Sequence, residues 1–120
     1  MKRVFSPHET LRRDRVTGEL SPAHDFSAAL EYGQLVVLLP SGFPPDDTGV
    51  EEMLVTLRGK LATYTDEDFI LATGDPATMG AVLLMAATFN SGRVKVLRWD
   101  RHAGRYNAVQ IDMRRHTGER

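Results

Sequence analysis

Two clusters of residues have the types and spacing to do chemistry. The first is Thr73-Gly74-Asp75-Pro76, which ends an apolar run and opens a long apolar helical pattern. A strand that turns into a helix this way leaves backbone N–H groups unpaired, with the positive end of the helix dipole facing out. Gly74 lets a ligand reach the backbone, and Pro76 suits the first helical turn. The chemistry is anion binding, at the sheet edge where open α/β folds hold their ligands. The same residues also make an ordinary helix start, with Asp75 as the N-cap and Gly74 as the turn; a carboxylate there already occupies the dipole. The second cluster is Arg93, Lys95, Arg98, Arg101 and Arg105, with Trp99 and Tyr106 among them and Asn90 just upstream. Guanidinium forks pair with phosphate oxygens and aromatic faces stack on bases, so this set suits a nucleotide or single-stranded nucleic acid. Its plainer alternative is a solvated hairpin face of alternating charge, part-neutralised by Asp100.

Catalytic constellations are weak. His8, His24, His102 and His116 are scattered, and no two stand at the spacing of a helical metal pair. His24 and Asp25 are neighbours in sequence, where side chains seldom face each other. Asp66, Glu67 and Asp68 read as a solvated linker. Gly74 and Gly80 do not complete a dinucleotide-binding glycine pattern, and there is no phosphate-loop lysine. The sequence reads as a non-enzyme, and neither cofactor nor metal is expected.

The 120 residues suffice for one domain with a modest core. With 42% hydrophobic and 26% charged residues, the composition is that of an ordinary globular protein. A net charge of -1 supplies no basic field for duplex nucleic acid. The absence of cysteine excludes a disulfide framework and a thiol nucleophile, and suits a reducing cytoplasm. No apolar run approaches the roughly 18–20 residues needed to cross a bilayer, so no membrane partner is expected.

The elements that must position both clusters follow from periodicity. Residues 35–39, Leu-Val-Val-Leu-Leu, form a continuous apolar run stopped by Pro40, a strand expected to be buried on both faces. Residues 50–62 make a helix with Met53, Leu54, Leu57 and Leu61 as its buried stripe, capped by Asp47 or Thr48. Residues 69–73 make a second apolar strand, and strand-helix-strand with apolar strands is the mark of a parallel unit. The next helix runs from Pro76 to about Phe89 and is apolar around most of its circumference, so more than one side is expected to be covered, by the fold or by a second subunit. Residues 93–100 and 105–113 alternate as an antiparallel hairpin. Val94 and Val96 fall on one face, Lys95, Leu97 and Trp99 on the other; Val109, Ile111 and Met113 oppose Tyr106, Ala108 and Gln110. The fold class is α/β in one small domain: β-α-β-α-β-β at residues 34–113, behind an irregular N-terminal arm at residues 1–33 and before a frayed tail at residues 114–120. Within the arm, residues 11–20 are either a small hairpin turning at Thr17-Gly18, with Val16 and Leu20 inward, or irregular. Residues 27–32 read as one or two helical turns ending at Gly33. An arm with so little core material suits a contact with a neighbouring copy.

Short motifs add a resemblance. They are Arg13-Asp14, Thr17-Gly18, His24-Asp25-Phe26-Ser27, Glu31-Tyr32-Gly33 and Leu38-Leu39-Pro40, then Asp66-Glu67-Asp68-Phe69 and Gly74-Asp75-Pro76. Asn90-Ser91-Gly92-Arg93, Leu97-Arg98-Trp99-Asp100-Arg101 and Arg105-Tyr106 complete the set. Over most of its length the chain resembles a family of short proteins found largely in tailed-phage genomes. It departs at residues 114–120 and at Phe69, where tyrosine is usual. The resemblance implies a viral origin or a prophage remnant and carries over no activity. Small non-enzymatic phage proteins commonly act by binding, and the chain is loosely similar in kind to phage anti-defence sponges. The expectation is therefore a host-cytoplasmic binder that forms a homo-oligomer, a second copy covering its arm and the outer face of its second helix. Its leading form sequesters a nucleotide-derived signalling molecule through Thr73, Gly74, Asp75, Asn90, Arg93, Lys95, Arg98, Trp99, Arg101, Arg105 and Tyr106. The alternatives are a protein-interaction module that inhibits a host enzyme, and a single-stranded nucleic-acid binder.

Overall fold

The computed structural model describes residues 2–8, 11–13, 15–22, 27–39 and 49–116. Its centre is a five-stranded sheet of β1 (Arg3–His8), β4 (Gln34–Leu39), β5 (Phe69–Leu71), β6 (Arg93–Asp100) and β7 (Arg105–Asp112), in the order β4-β1-β5-β6-β7. The first four strands run parallel, and β7 closes the sheet antiparallel to β6. Helices α1 (Val50–Leu61) and α2 (Pro76–Phe89) follow β4 and β5, giving the α/β class and the C-terminal hairpin that periodicity indicates. A separate two-stranded ribbon joins β2 (Leu11–Arg13) to β3 (Leu20–Pro22), and a 3-10 helix spans Ser27–Tyr32.

The largest departure from expectation is β1. Residues 3–8 are not part of an arm: they form the strand between β4 and β5, so the two apolar strands flanking α1 are not neighbours. Val4 pairs with Leu35 and Phe69, Phe5 with Val36 and Ile70, and both side chains are buried. Pro7 is compatible with this because the pairing to β5 stops at Phe5; a missing N–H beyond that point breaks no bond on that side.

The sheet separates two apolar layers. On one face Phe5, Ile70, Val94 and Val96 meet Met53, Leu57 and Leu61 of α1 and Val82 and Ala86 of α2. On the other, Val4, Phe69, Leu71 and Leu97 pack with Tyr106 and with Ala29 of the 3-10 helix. Gly33 follows that helix where β4 turns in beside β1: a Cβ there would lie 2.7 Å from the Lys2 carbonyl oxygen, which accepts from the Gln34 N–H.

Several local expectations change. β4 is an edge strand, so Val37 is partly exposed and only Leu38 and Leu39 are fully buried. Lys60 of α1 donates to the carbonyls of Val37 and Leu38, covering that edge with a charge. Helix α1 starts at Gly49 without a side-chain cap; Asp47 and Thr48 lie outside the described residues. β5 ends at Leu71, two residues short of Thr73. The ribbon takes the hairpin form, but Val16, at its tip, is 94% exposed instead of facing inward. Helix α2 buries Thr78, Val82 and Ala86, while Leu84 is 73% exposed, so the fold itself covers one broad side of that helix. His24 and Asp25 lie outside the described residues.

Candidate functional site

Strand direction decides which candidates meet. Because β5 and β6 are parallel, with Leu71 beside Leu97, the Thr73–Asp75 corner lies at the end of the sheet where β6 reaches Arg98 and Trp99. Arg93 opens β6 at the opposite end, and five residues of strand put it about 17 Å from Arg98. The set therefore divides. Thr73, Gly74, Asp75, Arg98, Trp99, Arg101, Arg105 and Tyr106 share one end; Asn90, Arg93 and Lys95 share the other.

At the first end the corner serves the fold. The Asp75 carboxylate accepts from the Thr78 N–H at 2.9 Å and from the Thr78 hydroxyl at 3.3 Å, which is the N-cap of α2. Gly74 is exposed, with φ +88°. Its positive φ fits glycine at a tight turn, with no ligand needed to account for it. Replacing Asp75 by alanine is expected to lower stability by about 1 kcal/mol in chemical denaturation. An unchanged transition would mean that the cap contributes nothing.

The hairpin at this end projects. β5 pairs with β6 only at Ile70 and Leu71, so residues 98–107 continue past the last residue of β5. Trp99 stands opposite Tyr106, their rings 5.1 Å apart at 71°, an edge-to-face pair. Tyr106 is buried, and its carbonyl accepts from the Tyr32 hydroxyl, so the 3-10 helix holds the base of the hairpin; Trp99 remains 48% exposed. Arg98 pairs with Asn107 and Asp100 with Arg105, on the opposite face from Trp99. Asp100 attracts Arg98 through space, so it offsets part of this charge as expected, but it forms no salt bridge with these arginines among the described residues. Its carboxylate accepts from the N–H groups of His102 and Ala103 and from the Asn107 amide, closing the turn. The Ala103 N–H and the Asn107 amide hold its carboxyl below the ordinary value. Arg98, Arg101 and Arg105 are exposed and make no ion pair among the described residues.

At the other end Asn90 closes α2. Its N–H reaches the carbonyls of Ala86 and Ala87, and its amide donates to Arg93 O and Asp66 Oδ1, both at 2.9 Å. Arg93 bridges to Asp66 at 3.4 Å, and the Lys95 ammonium sits 4.7 Å from the Phe69 ring centre. Tyr64, Asp66, Asn90, Arg93, Val94, Lys95 and Gln110 line a crevice of about 10 Å³. That is room for one water, far below the roughly 300 Å³ at which small-molecule pockets begin. Beside it Arg114 pairs with Asp112 at 2.7 Å, and its guanidinium holds the Asp112 carboxyl down to about 2.

Three residues that matter were not singled out from the sequence. Asp68, grouped with a solvated linker, is wholly buried. It accepts from the Arg3 backbone N–H, from Arg3 Nε and Nη2, and from the N–H and hydroxyl of Thr65. Tyr64, also buried, donates to the Asp68 carbonyl and accepts from the Lys95 N–H, tying the loop before β5 to β6. Burial pushes the Tyr64 phenol above its ordinary value. The available signal was positional: Arg3 and Asp68 each directly precede the first buried residue of a strand, Val4 and Phe69, and those residues pair.

Among the described residues there is no group of three or more His, Cys, Asp or Glu side chains placed to hold a metal ion, and no helix is long and apolar enough to cross a membrane. No curated protein and no solved structure matches the chain. The family model described as Phage Pam3 gp32-like protein matches residues 2–113, and the chain belongs to that phage protein family.

Proposed function

We propose that this phage protein is a non-enzymatic binder that acts stoichiometrically in the host cytoplasm, occupying a host protein through residues 98–106 and so inhibiting it. The observation that carries the reading is the projecting hairpin, where a half-exposed Trp99 stands on Tyr106 beside three arginines without ion-pair partners among the described residues. Tryptophan, tyrosine and arginine dominate the energetics of protein contacts, above all when a rigid neighbour holds the aromatic in place. Trp99 would supply the aromatic anchor of such a contact and the guanidinium groups its charged pairs.

A second reading, sequestration of a nucleotide-derived signalling molecule, has one supporting feature: exposed Gly74 lies at the same end of the sheet as Trp99. In one copy Trp99 and the pair Arg98 and Arg105 point to opposite faces, so a mononucleotide would need a second copy to meet both. The open β7 edge, with Val109, Ile111 and Met113 partly exposed, is where that copy would add.

The test is capture from host lysate with the full chain and with Trp99→Ala and Arg98→Ala/Arg105→Ala, followed by mass spectrometry of retained polypeptides and small molecules. The proposed function predicts one host polypeptide near equimolar ratio, lost by at least tenfold in Trp99→Ala, the effect of about 1.4 kcal/mol or more at a contact hot spot. A retained nucleotide without a polypeptide would replace it with the second reading. Single-stranded nucleic acid is checked on the same site: Trp99 is the sole tryptophan, and an oligothymidylate that stacks on it would quench its fluorescence with a steep salt dependence.

A further inference from the structure

We infer that the partner's binding site is a protein cleft with two unlike walls, one apolar and one lined by carboxylates, into which the hairpin enters as a wedge. This rests on the reading of residues 98–106 as the contact surface and concerns what that surface fits.

The wedge follows from strand geometry. Residues directly opposite in an antiparallel pair share a face. Trp99 and Tyr106 therefore lie on one side of the ribbon, and Arg98, Asp100, Arg105 and Asn107 on the other. Past the last residue of β5 the ribbon is two strands wide, with Arg98 and Trp99 exposed on its opposite faces. A flat partner could touch only one of these faces. A cleft touches both.

The chemistry of each wall follows from what the hairpin leaves unsatisfied. On the Trp99 side the exposed surface is indole, with Tyr106 already packed behind it, so the complementary wall is apolar. On the other side Arg98 and Arg105 are diagonal neighbours, roughly 7–8 Å apart along the ribbon. Asp100 lies between them and attracts Arg98 through space, but its hydrogen bonds go to His102 N–H, Ala103 N–H and the Asn107 amide, and it forms no ion pair with either arginine among the described residues. Two guanidinium groups at that spacing, beside a single carboxylate that hydrogen-bonds to neither, call for carboxylates from the partner, which accept the planar fork with two parallel bonds. Nucleic acid fits less well. A strand stacking its bases on Trp99 would carry its phosphates along the indole side, whereas Arg98 and Arg105 lie across the ribbon, and the chain's net charge of -1 adds no long-range attraction.

The experiment places a photo-crosslinking p-benzoylphenylalanine in the full chain, once as Ala108→p-benzoylphenylalanine, exposed on the Trp99 face with Trp99 itself intact, and once as Arg105→p-benzoylphenylalanine, with Arg98 intact. Irradiation is done in host lysate with and without nuclease, and the joined peptides are mapped. The expected result is one host polypeptide at both positions, through two peptides distant in its sequence, with Asp or Glu in the peptide joined at position 105 and no effect of nuclease. As a second measurement, capture by the unmodified chain should weaken several-fold between low and high salt, while Arg98→Gln/Arg105→Gln should bind weakly with a flat response. Attachment to one contiguous peptide, a position-105 peptide without carboxylates, or a salt-independent wild type would overturn the two-walled cleft while leaving a host-protein contact standing. Nucleic acid at either position, or no attachment at both, would overturn the proposed function along with it.

Discussion

Phe5→Ala should lower the stability of the folded chain by about 3–5 kcal/mol, measured by chemical denaturation. A phenylalanine in a mobile arm would cost almost nothing. Phe5 is 1% exposed, its ring centre lies 6.0 Å from that of Tyr64, and its backbone stands between Val36 and Ile70. Truncating the ring leaves a cavity among Leu57, Ile70 and the rest of the helix-side core, and the surrounding elements collapse into it only in part. Against a total stability of about 5–15 kcal/mol for a domain, that loss is large. Deleting residues 1–8 goes further. It removes the strand joining β4 to β5, and the expected result is an unfolded or aggregating chain, not a trimmed one. A deletion variant that melted like the full chain would show that the sheet does not need β1.

Arg3→Met should cost about 3–5 kcal/mol at neutral pH, because it strips a buried carboxylate of its partner. Asp68 is 0% exposed, whereas the Arg3 guanidinium is partly open to solvent and also donates to the hydroxyl and carbonyl of Thr63. Burial alone would raise the Asp68 carboxyl; the Arg3 guanidinium and the Thr65 N–H outweigh it, and the group sits below its ordinary value of 3.8. The folded chain thus binds this proton more weakly than the unfolded one. The stabilisation is complete above the unfolded value and is lost as the pH falls through the lower folded one. In Arg3→Met burial dominates and the carboxyl rises instead, so that variant should gain stability on acidification from neutral pH where the parent does not. Arg3→Met/Asp68→Leu should recover much of the loss, since it leaves no unpaired charge in the interior. Denaturation midpoints against pH for the three chains check all of this. Parallel pH profiles for the parent and Arg3→Met would refute the buried pair.

What the sequence made legible was local. Both helices and the hairpin follow from patterns complete within about fifteen residues, and the facing of Val94, Val96, Leu97 and Trp99 follows from alternation alone. β1 was hidden because only Val4 and Phe5 carry an apolar signal, between Lys2-Arg3 and Ser6-Pro7. Its place in the sheet comes from pairing with segments about thirty and sixty-five residues away, as Val4 beside Leu35 and Phe69 illustrates. The run at residues 35–39 looked buried on both faces because composition reports apolarity, not the number of neighbouring strands; with one neighbour, Val37 faces outward. Asp68 was masked by Asp66 and Glu67, two exposed acids beside it. The residue types of the candidate site were legible too, but their grouping was not. A parallel β5 and β6 puts Arg93 and Arg98 at opposite ends of the sheet, and the alternation that placed Trp99 also places Arg98 behind it.

The most direct test is amide hydrogen exchange on the chain alone and in complex with the host polypeptide recovered by capture. Binding through the hairpin should concentrate slowed exchange in residues 98–106 and leave the first turn of α2 and residues 109–113 as they were. Protection centred on residues 73–78 or on the outer edge of β7, with the hairpin unchanged, would contradict it.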